Sequence, residues 1–278
     1  YRGLVADYNN LLLFLKEKRR IEDIAIADLD KKFIEDYYNW MLGTCALASS
    51  TAFCRVNTLK WLMYTAQERG WIKLHPFIGF DCLPEYKRRS FLTEEDLQRV
   101  IHVKLNYKRQ RAIRDMFLFM CFTGLAYADL KEITYKNIHT DSEGGTWLMG
   151  NRIKTGVSYV VKLLPIAIEL VERYKGENKK KSSPDKVFPV GEYQTMVSSL
   201  RVLTQKCGCS TEITPHIGRH TFAVLAILKG MPLETLQKVL GHKSILSTQI
   251  YAELINPKVG EDTDKLCMKI GDVYRLTN

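Results

Sequence analysis

The sequence predicts a mainly α-helical chain in two domains, the second carrying one small antiparallel β-sheet. Three observations lead there. Apolar residues recur at helical spacing through most of the chain. That spacing collapses once, over a stretch rich in Pro, Gly and basic residues near positions 76–90. Alternation of strand type appears in one place, between Trp147 and Val161.

In the first domain, Leu4, Tyr8, Leu11, Leu12 and Leu15 fall at i, i+4, i+7, i+8 and i+11, one face of a helix. Asp28 or Asp30 stands where a second helix needs its cap, ahead of Phe33, Ile34, Tyr37, Tyr38, Met41 and Leu42. Ser49-Ser50-Thr51 opens a third helix through Phe53, Val56, Leu59, Leu62 and Met63, with Gly70 just past its end. The polar side of this helix shows Thr51, Arg55, Asn57 and Lys60. It reads either as a solvated face or as a face that meets phosphates through Arg55 and Lys60.

From Trp71 the periodicity breaks. "HPFIGFDCLPEYKRRSF" holds two prolines, a glycine and the run Lys87-Arg88-Arg89, and reads as a linker. The expected boundaries are a domain at 1–80, a linker at 81–91 and a second domain at 92–278. Thr93 is an N-cap candidate with Asp96 three residues on. "RAIRDMFLFMCFTG" is apolar along Ile113, Met116, Phe117, Met120 and Cys121, and "LAYADL" follows at helix-like spacing. Trp147 and Met149, the Lys154-Thr155-Gly156 turn and Val157 to Val161 form a hairpin pattern. Helical spacing resumes from Ile166 to Tyr174, before the polar loop "KGENKKKSSPDK".

Composition narrows the function. The chain has 278 residues, 46% hydrophobic and 26% charged, which is that of a folded soluble protein. No apolar run approaches the ~20 residues of a membrane helix, and no secretory signal opens the chain. A net charge of +10 favours a polyanionic partner, nucleic acid before an anionic membrane. Seven scattered cysteines fit free thiols in a reducing cytosol. Cys207-Gly208-Cys209 lacks the second pair that a zinc site needs, so no metal site is expected. The chain opens on Tyr1 rather than Met, and a preceding arm-binding segment is an open expectation.

The sharpest stretch is "TPHIGRHTFAVLAILKGMPLETLQKVLGHKSILSTQIYAEL", Thr214 to Leu254. His216 and Arg219 lie one helical turn apart and share a face. His220 follows. Phe222, Leu225, Ile227 and Leu228 make the apolar side, and Gly230 ends the helix. A second helix runs to Gly241 with His242 just beyond, and a third, opened by Ser244 or Ser247, carries Tyr251. Singly, such His and Tyr residues are most often packing. Their order and spacing carry the information.

This order resembles the tyrosine recombinase (phage integrase) family. The matching residues are His216, Arg219, the "LGHKS" box with His242, Tyr251 in "TQIYAEL" and the Lys154 hairpin. "TGLAYADL", Thr123 to Leu130, matches the family's first box, and the helical N-terminal part looks like its core-binding domain. The resemblance implies a two-domain, C-shaped clamp on double-stranded DNA. Tyr251 would attack the scissile phosphate and form a 3′-phosphotyrosyl intermediate that is religated without ATP, metal or cofactor. Arg219 would hold the non-bridging oxygens, with His242 hydrogen-bonding one of them and His216 doing likewise or serving in acid–base steps. Lys154 would protonate the departing 5′ hydroxyl, with Arg152 and Lys162 as flanking cations easily confused with it. His220 would orient Arg219 or face the core. Arg55, Lys60, Lys87, Arg88, Arg89 and Arg152 are the expected DNA contacts.

The resemblance further implies a homotetrameric synapse, a monomer being one option for the free protein. An accessory DNA-bending protein from host or element is a further expected partner. The expected location is the bacterial cytoplasm, at the nucleoid. Leu266, Met268 and Ile270 in the tail form an apolar set for docking on a neighbour. The reading is of a mobile-element integrase. The alternatives are a chromosome-dimer resolvase with the same chemistry and a DNA-binding regulator with impaired catalysis.

One departure stands out. The family's first box places arginine where this chain has Ala126. Arg114 is the expected substitute, with Arg111 the second choice. A straight helix would leave Arg114 ~18 Å from Ala126, at ~1.5 Å per residue, so the idea needs the chain to turn back after Thr123-Gly124. Asp129 stands where the family usually has Glu; the expected role is structural, orienting a basic residue or capping a helix.

Overall fold

The computed structural model describes residues 2–83, 89–175 and 185–253, in two compact units, Tyr1–Lys87 and Arg88–Asn278. Lys87, Arg88, most of the polar loop and the tail with Leu266, Met268 and Ile270 lie outside the described residues.

The first unit is helical: α1 (Arg2–Phe14), α2 (Lys31–Gly43) and α3 (Ser49–Glu68). Arg20, with a left-handed backbone, ends the π-helical turn that extends α1. Asp30 caps α2 by accepting from Phe33 N at 2.7 Å. The inward faces bury Phe14, Phe33, Tyr37, Trp40, Met41, Val56 and Met63 in one core. Phe14 meets Phe33 edge-on at 5.3 Å between centroids, within the range where aromatic pairs attract. The hydroxyl of buried Tyr37 donates to Asn10 Oδ1 at 2.9 Å.

The second unit begins with α4 (Glu94–His102), capped by the Thr93 hydroxyl, which accepts from Asp96 N. Its central element is α5 (Lys108–Thr123), where nearly every residue from Ile113 to Thr123 is buried. Such a helix, apolar all round, is one wrapped by others. Here α4, α7 (Pro165–Tyr174), α8 (Tyr193–Cys207) and α9 (Pro215–Leu228) pack on it. Short α6 (Tyr127–Glu132) follows α5 and leads to the sheet. Strands β1 (Ile138–Thr140), β2 (Thr146–Asn151) and β3 (Ser158–Lys162) run antiparallel in the order β1-β2-β3. The β2–β3 register pairs Trp147 with Lys162 and Asn151 with Ser158. In β3, Tyr159 and Val161 face inward between exposed neighbours, the period of two that marked the strand in the sequence. A second apolar cluster joins α9 to α10 (Leu233–Leu240) and α11 (Leu246–Ala252) through Phe222, Val224, Ile227, Leu236, Leu240 and Tyr251.

Two elements go beyond the sequence reading. β1 spans three residues, too few for an alternation to register. α8 buries only Met196, Leu200 and Leu203 on an otherwise polar helix.

Candidate active site

The first turns of α9 carry His216, Arg219 and His220. Thr214 caps this helix by accepting from Ile217 N, and Pro215 fits its first turn. Arg219 is buried at 5% exposure. Its Nη1 donates to the Gly124 carbonyl, and its Nη2 donates to the Leu240 carbonyl at 2.7 Å. One guanidinium thus binds the turn after α5 to the end of α10. Gly124 has a left-handed backbone, φ 71°, and a Cβ there would stand 2.6 Å from the Phe222 ring. Only glycine lets the turn come this close. Burial lowers the Arg219 pKa to about 10; the Arg152 charge adds to the lowering, while Tyr251 and Asp129 oppose it.

Gly241 ends α10 in the left-handed region, and His242 follows. The His242 ring is half-buried, with Nδ1 2.8 Å from the Thr248 hydroxyl on α11. Tyr251 lies one turn along, 1% exposed. Its ring stands parallel to that of His242, 6.5 Å between centroids. Its hydroxyl is 3.0 Å from His220 Nδ1. Desolvation first, then the surrounding arginines, lowers the pKa of His242 and of His220 to about 4. His216 is shifted down as well, by burial and then Arg219, Arg89, Lys154 and Arg152. Both half-buried rings are therefore neutral near pH 7.

The Lys154-Thr155-Gly156 turn closes the β2–β3 hairpin, with Lys154 exposed at its tip. Arg152 leaves the end of β2 and lies beside Gly241, where an added Cβ would meet Arg152 Cγ at 2.8 Å. Its Nη1 is 2.9 Å from Asp129 Oδ2. That contact is close but poorly aligned, since neither atom completes a hydrogen bond. The other Asp129 oxygen accepts from Ile153 N at 2.9 Å. Asp129 orients a basic residue, one of the two structural roles expected for it. Arg89 sits 5.9 Å from the Tyr251 ring centroid.

The structure brings together His216, Arg219, His242, Tyr251, Arg89 and Arg152, with Lys154 near enough to act on His216. It does not bring Arg114. That guanidinium binds Asp115 Oδ1 through Nε at 3.0 Å and Nη2 at 2.8 Å, and reaches the Val103 carbonyl. Arg173 and the Tyr174 hydroxyl take the other Asp115 oxygen, so Arg114 belongs to a buried structural knot. Arg111 fares no better, donating to the Leu105 and Asn106 carbonyls. The expected substitution fails because both guanidinium groups are engaged near the start of α5, with Asp115 and with the carbonyls of Val103, Leu105 and Asn106.

Other expectations shift. His220 neither orients Arg219 nor fills the core; it pairs with Tyr251. Nothing in the sequence marked this, since the partner lies 31 residues away. Arg152, expected as a DNA contact, is half-buried beside Arg219 and His242. Lys162 lies over the Trp147 ring at 5.5 Å, so it is not the hairpin's pocket cation. In the first unit Arg55 is drawn to Asp7, 3.6 Å away, and Lys60 is half-buried with its charge felt at His75 and Cys82. Neither is a freely solvated cation on the face of α3.

A family described as the phage integrase family matches residues 90–256, and its SAM-like domain matches residues 3–83. The chain belongs to the phage integrase family. Tyrosine recombinase XerA of Saccharolobus solfataricus is 32% identical over 176 residues, covering 62% of this chain and 56% of that protein. A tyrosine recombinase of Pseudothermotoga lettingae is 23% identical over 274 residues, covering 94% of this chain and 90% of that protein. The integrase-family fold also matches a XerH site-specific recombinase bound to palindromic difH substrate in a post-cleavage complex. Its TM-score is 0.75 at 18% identity, over 94% of this chain and 79% of that one. The match to XerA thus spans little more than half of that relative's length. No helix among the described residues is long and apolar enough to cross a membrane.

Proposed function

We propose that this protein is a site-specific DNA recombinase, an integrase of a mobile element, that cuts and rejoins duplex DNA through Tyr251. The observation that carries the reading is the Tyr251 hydroxyl hydrogen-bonded to neutral His220 beside the buried Arg219 cation. Arginine only donates, and the hydroxyl hydrogen is therefore left for His220 Nδ1.

In the reaction the Tyr251 oxygen attacks the phosphorus in line. The O–P bond to tyrosine forms as the bond to the 5′ oxygen breaks, leaving a 3′-phosphotyrosyl ester. The tyrosine proton passes to His220, and Lys154 on its exposed turn protonates the leaving 5′ oxygen. Arg219 spends two of its five N–H donors on carbonyls and directs another at the Tyr251 oxygen, which still leaves donors for the non-bridging oxygens. His242, neutral and fixed by Thr248, donates from Nε2, and His216 at the rim serves the same phosphate. Because transition-state charge gathers on those oxygens, fixed donors in a desolvated site contribute most. The ester conserves the energy of the broken bond, and a 5′ hydroxyl from the same or a partner duplex reverses the attack without ATP.

Arg89, with Lys87 and Arg88 next to it in sequence, supplies phosphate contacts that position rather than specify. The partner is double-stranded DNA. Exchange between two duplexes calls for four protomers, an accessory DNA-bending protein fits such a synapse, and the bacterial nucleoid is where its DNA lies. Resolution of chromosome dimers would use every step above on a different DNA. An inert DNA-binding regulator would bind but form no adduct. A nicked suicide duplex separates the enzyme from the inert regulator: the parent protein forms a covalent protein–DNA band and Tyr251→Phe forms none. Binding without a band in the parent overturns the enzyme reading.

A further inference from the structure

We propose that Arg152 is a catalytic residue: it supplies the second guanidinium for the scissile phosphate, in place of the arginine that Ala126 cannot provide. The inference rests on the recombinase reading above and extends it to a residue whose expected role was general DNA contact.

Four observations lead there. First, position. The Arg152 side chain packs along Gly241, whose successor is His242, and a methyl on Gly241 would collide with Arg152 Cγ at 2.8 Å and Cδ at 3.2 Å. Second, an unspent guanidinium. Arg219 donates to two carbonyls, whereas Arg152 makes no side-chain hydrogen bond among the described residues, and its contact with Asp129 is a poorly aligned ion pair at 2.9 Å. The side chain is only 14% exposed, and its ion pair with Asp129 completes no hydrogen bond, so an anion that aligns with its N–H donors is favourable.

Third, charge. Arg152 stands close enough to Arg219 to depress its pKa, and it acts likewise on His242 and His216. Two guanidinium charges that feel each other at a desolvated site repel, and a bound phosphodiester offsets the repulsion. Fourth, the fixing of the side chain. Asp129 belongs to the Thr123–Leu130 stretch, one turn beyond Ala126. It grips the hairpin twice, at the Arg152 side chain and at Ile153 N. The stretch that lacks the arginine thus contributes the carboxylate that positions one from β2. Arg89 is the rival cation, but it is exposed, and no carboxylate among the described residues fixes it.

The test uses the full chain and a nicked duplex, its half-site selected from a random pool by covalent capture on the parent protein. Single-turnover adduct formation is measured on the natural phosphate and on a methylphosphonate at the scissile position, where one non-bridging oxygen is a neutral methyl. Arg152→Ala is expected to slow cleavage of the phosphate by about 100-fold, the typical effect of losing one oxyanion donor. On the methylphosphonate the loss should shrink to less than about 10-fold, since less charge remains to neutralise. DNA affinity should change little, and Ala126→Arg in the Arg152→Ala background should restore part of the rate. Arg152→Lys, which keeps the charge, serves if the alanine variant does not fold, and should show a smaller loss with the same substrate dependence. An equal loss on both substrates makes Arg152 structural and overturns the proposal. Parental rates in Arg152→Ala, or a phosphate-specific loss in Arg89→Ala and not in Arg152→Ala, overturn it too. If the parent captures no duplex at all, it is the recombinase reading that falls.

Discussion

His220 Nδ1 lies 3.0 Å from the Tyr251 hydroxyl, across two helices that are not adjacent in sequence. This pairing gives the nucleophile a neutral acceptor inside a ring of cations. It also sets the acceptor's strength, because burial and the neighbouring charges bring the His220 pKa to about 4. A base that weak orients the hydroxyl and takes its proton late, so its contribution belongs at the low end of general-base effects. His220→Phe is expected to slow single-turnover adduct formation by roughly 10- to 100-fold with little change in DNA affinity. A variant that cleaves at the parental rate would remove His220 from the reaction.

Acid destabilises this pocket before any substrate is involved. His220 and His242 have folded pKa values of about 4, below the ordinary 6.5 of the unfolded chain. Between those values the unfolded state binds more protons, so stability rises with pH through the window and is fully present above 6.5. Thermal midpoints should therefore fall as pH drops from 6.5 towards 4. In the His220→Phe, His242→Phe double variant that fall should be smaller. The comparison is made by differential scanning calorimetry, and an unchanged slope would contradict the burial of these rings.

Gly241 and Gly230 make a matched pair. Both have left-handed backbones, φ 60° and 93°, but an added methyl meets Arg152 at Gly241 and nothing within 4 Å at Gly230. Each Gly→Ala change should cost about 1–2 kcal/mol in backbone strain, read from chemical denaturation. Only Gly241→Ala should also lower the cleavage rate, because it displaces Arg152 beside His242. Equal activity in the two variants would detach Arg152 from the site.

Asp115 anchors Arg114, Arg173 and the Tyr174 hydroxyl while 2% exposed. Asp115→Ala should cost roughly 3–5 kcal/mol by leaving buried partners without their carboxylate. Arg114→Ala should cost less, since Arg173 and Tyr174 still satisfy Asp115. Neither change should alter the adduct rate per folded molecule in a burst measurement. A selective loss of cleavage in Arg114→Ala would return Arg114 to the active site.

The sequence by itself determined most of the helices, α8 excepted, and the order of the boxes. Apolar spacing is local: Ile113, Met116, Phe117 and Met120 must face one way on any helix, and Thr93, Asp30 and Gly241 mark helix ends through bonds to residues only a few positions away. His216 and Arg219 were legible together for the same reason, being one turn apart. The expectation of an arginine at Ala126 came from the resemblance of the box around it, and no local signal pointed to a substitute. Arg114 and Arg152 are both arginines beside apolar runs, and nothing local distinguishes them. Tertiary structure separated them by their carboxylates, Asp115 holding one in a knot away from the site and Asp129 holding the other beside Gly241. His220 was sorted in the same way when α11 laid Tyr251 across α9. Contacts between residues distant in sequence depend on how helices pack, and packing is a property of the whole core rather than of any single stretch.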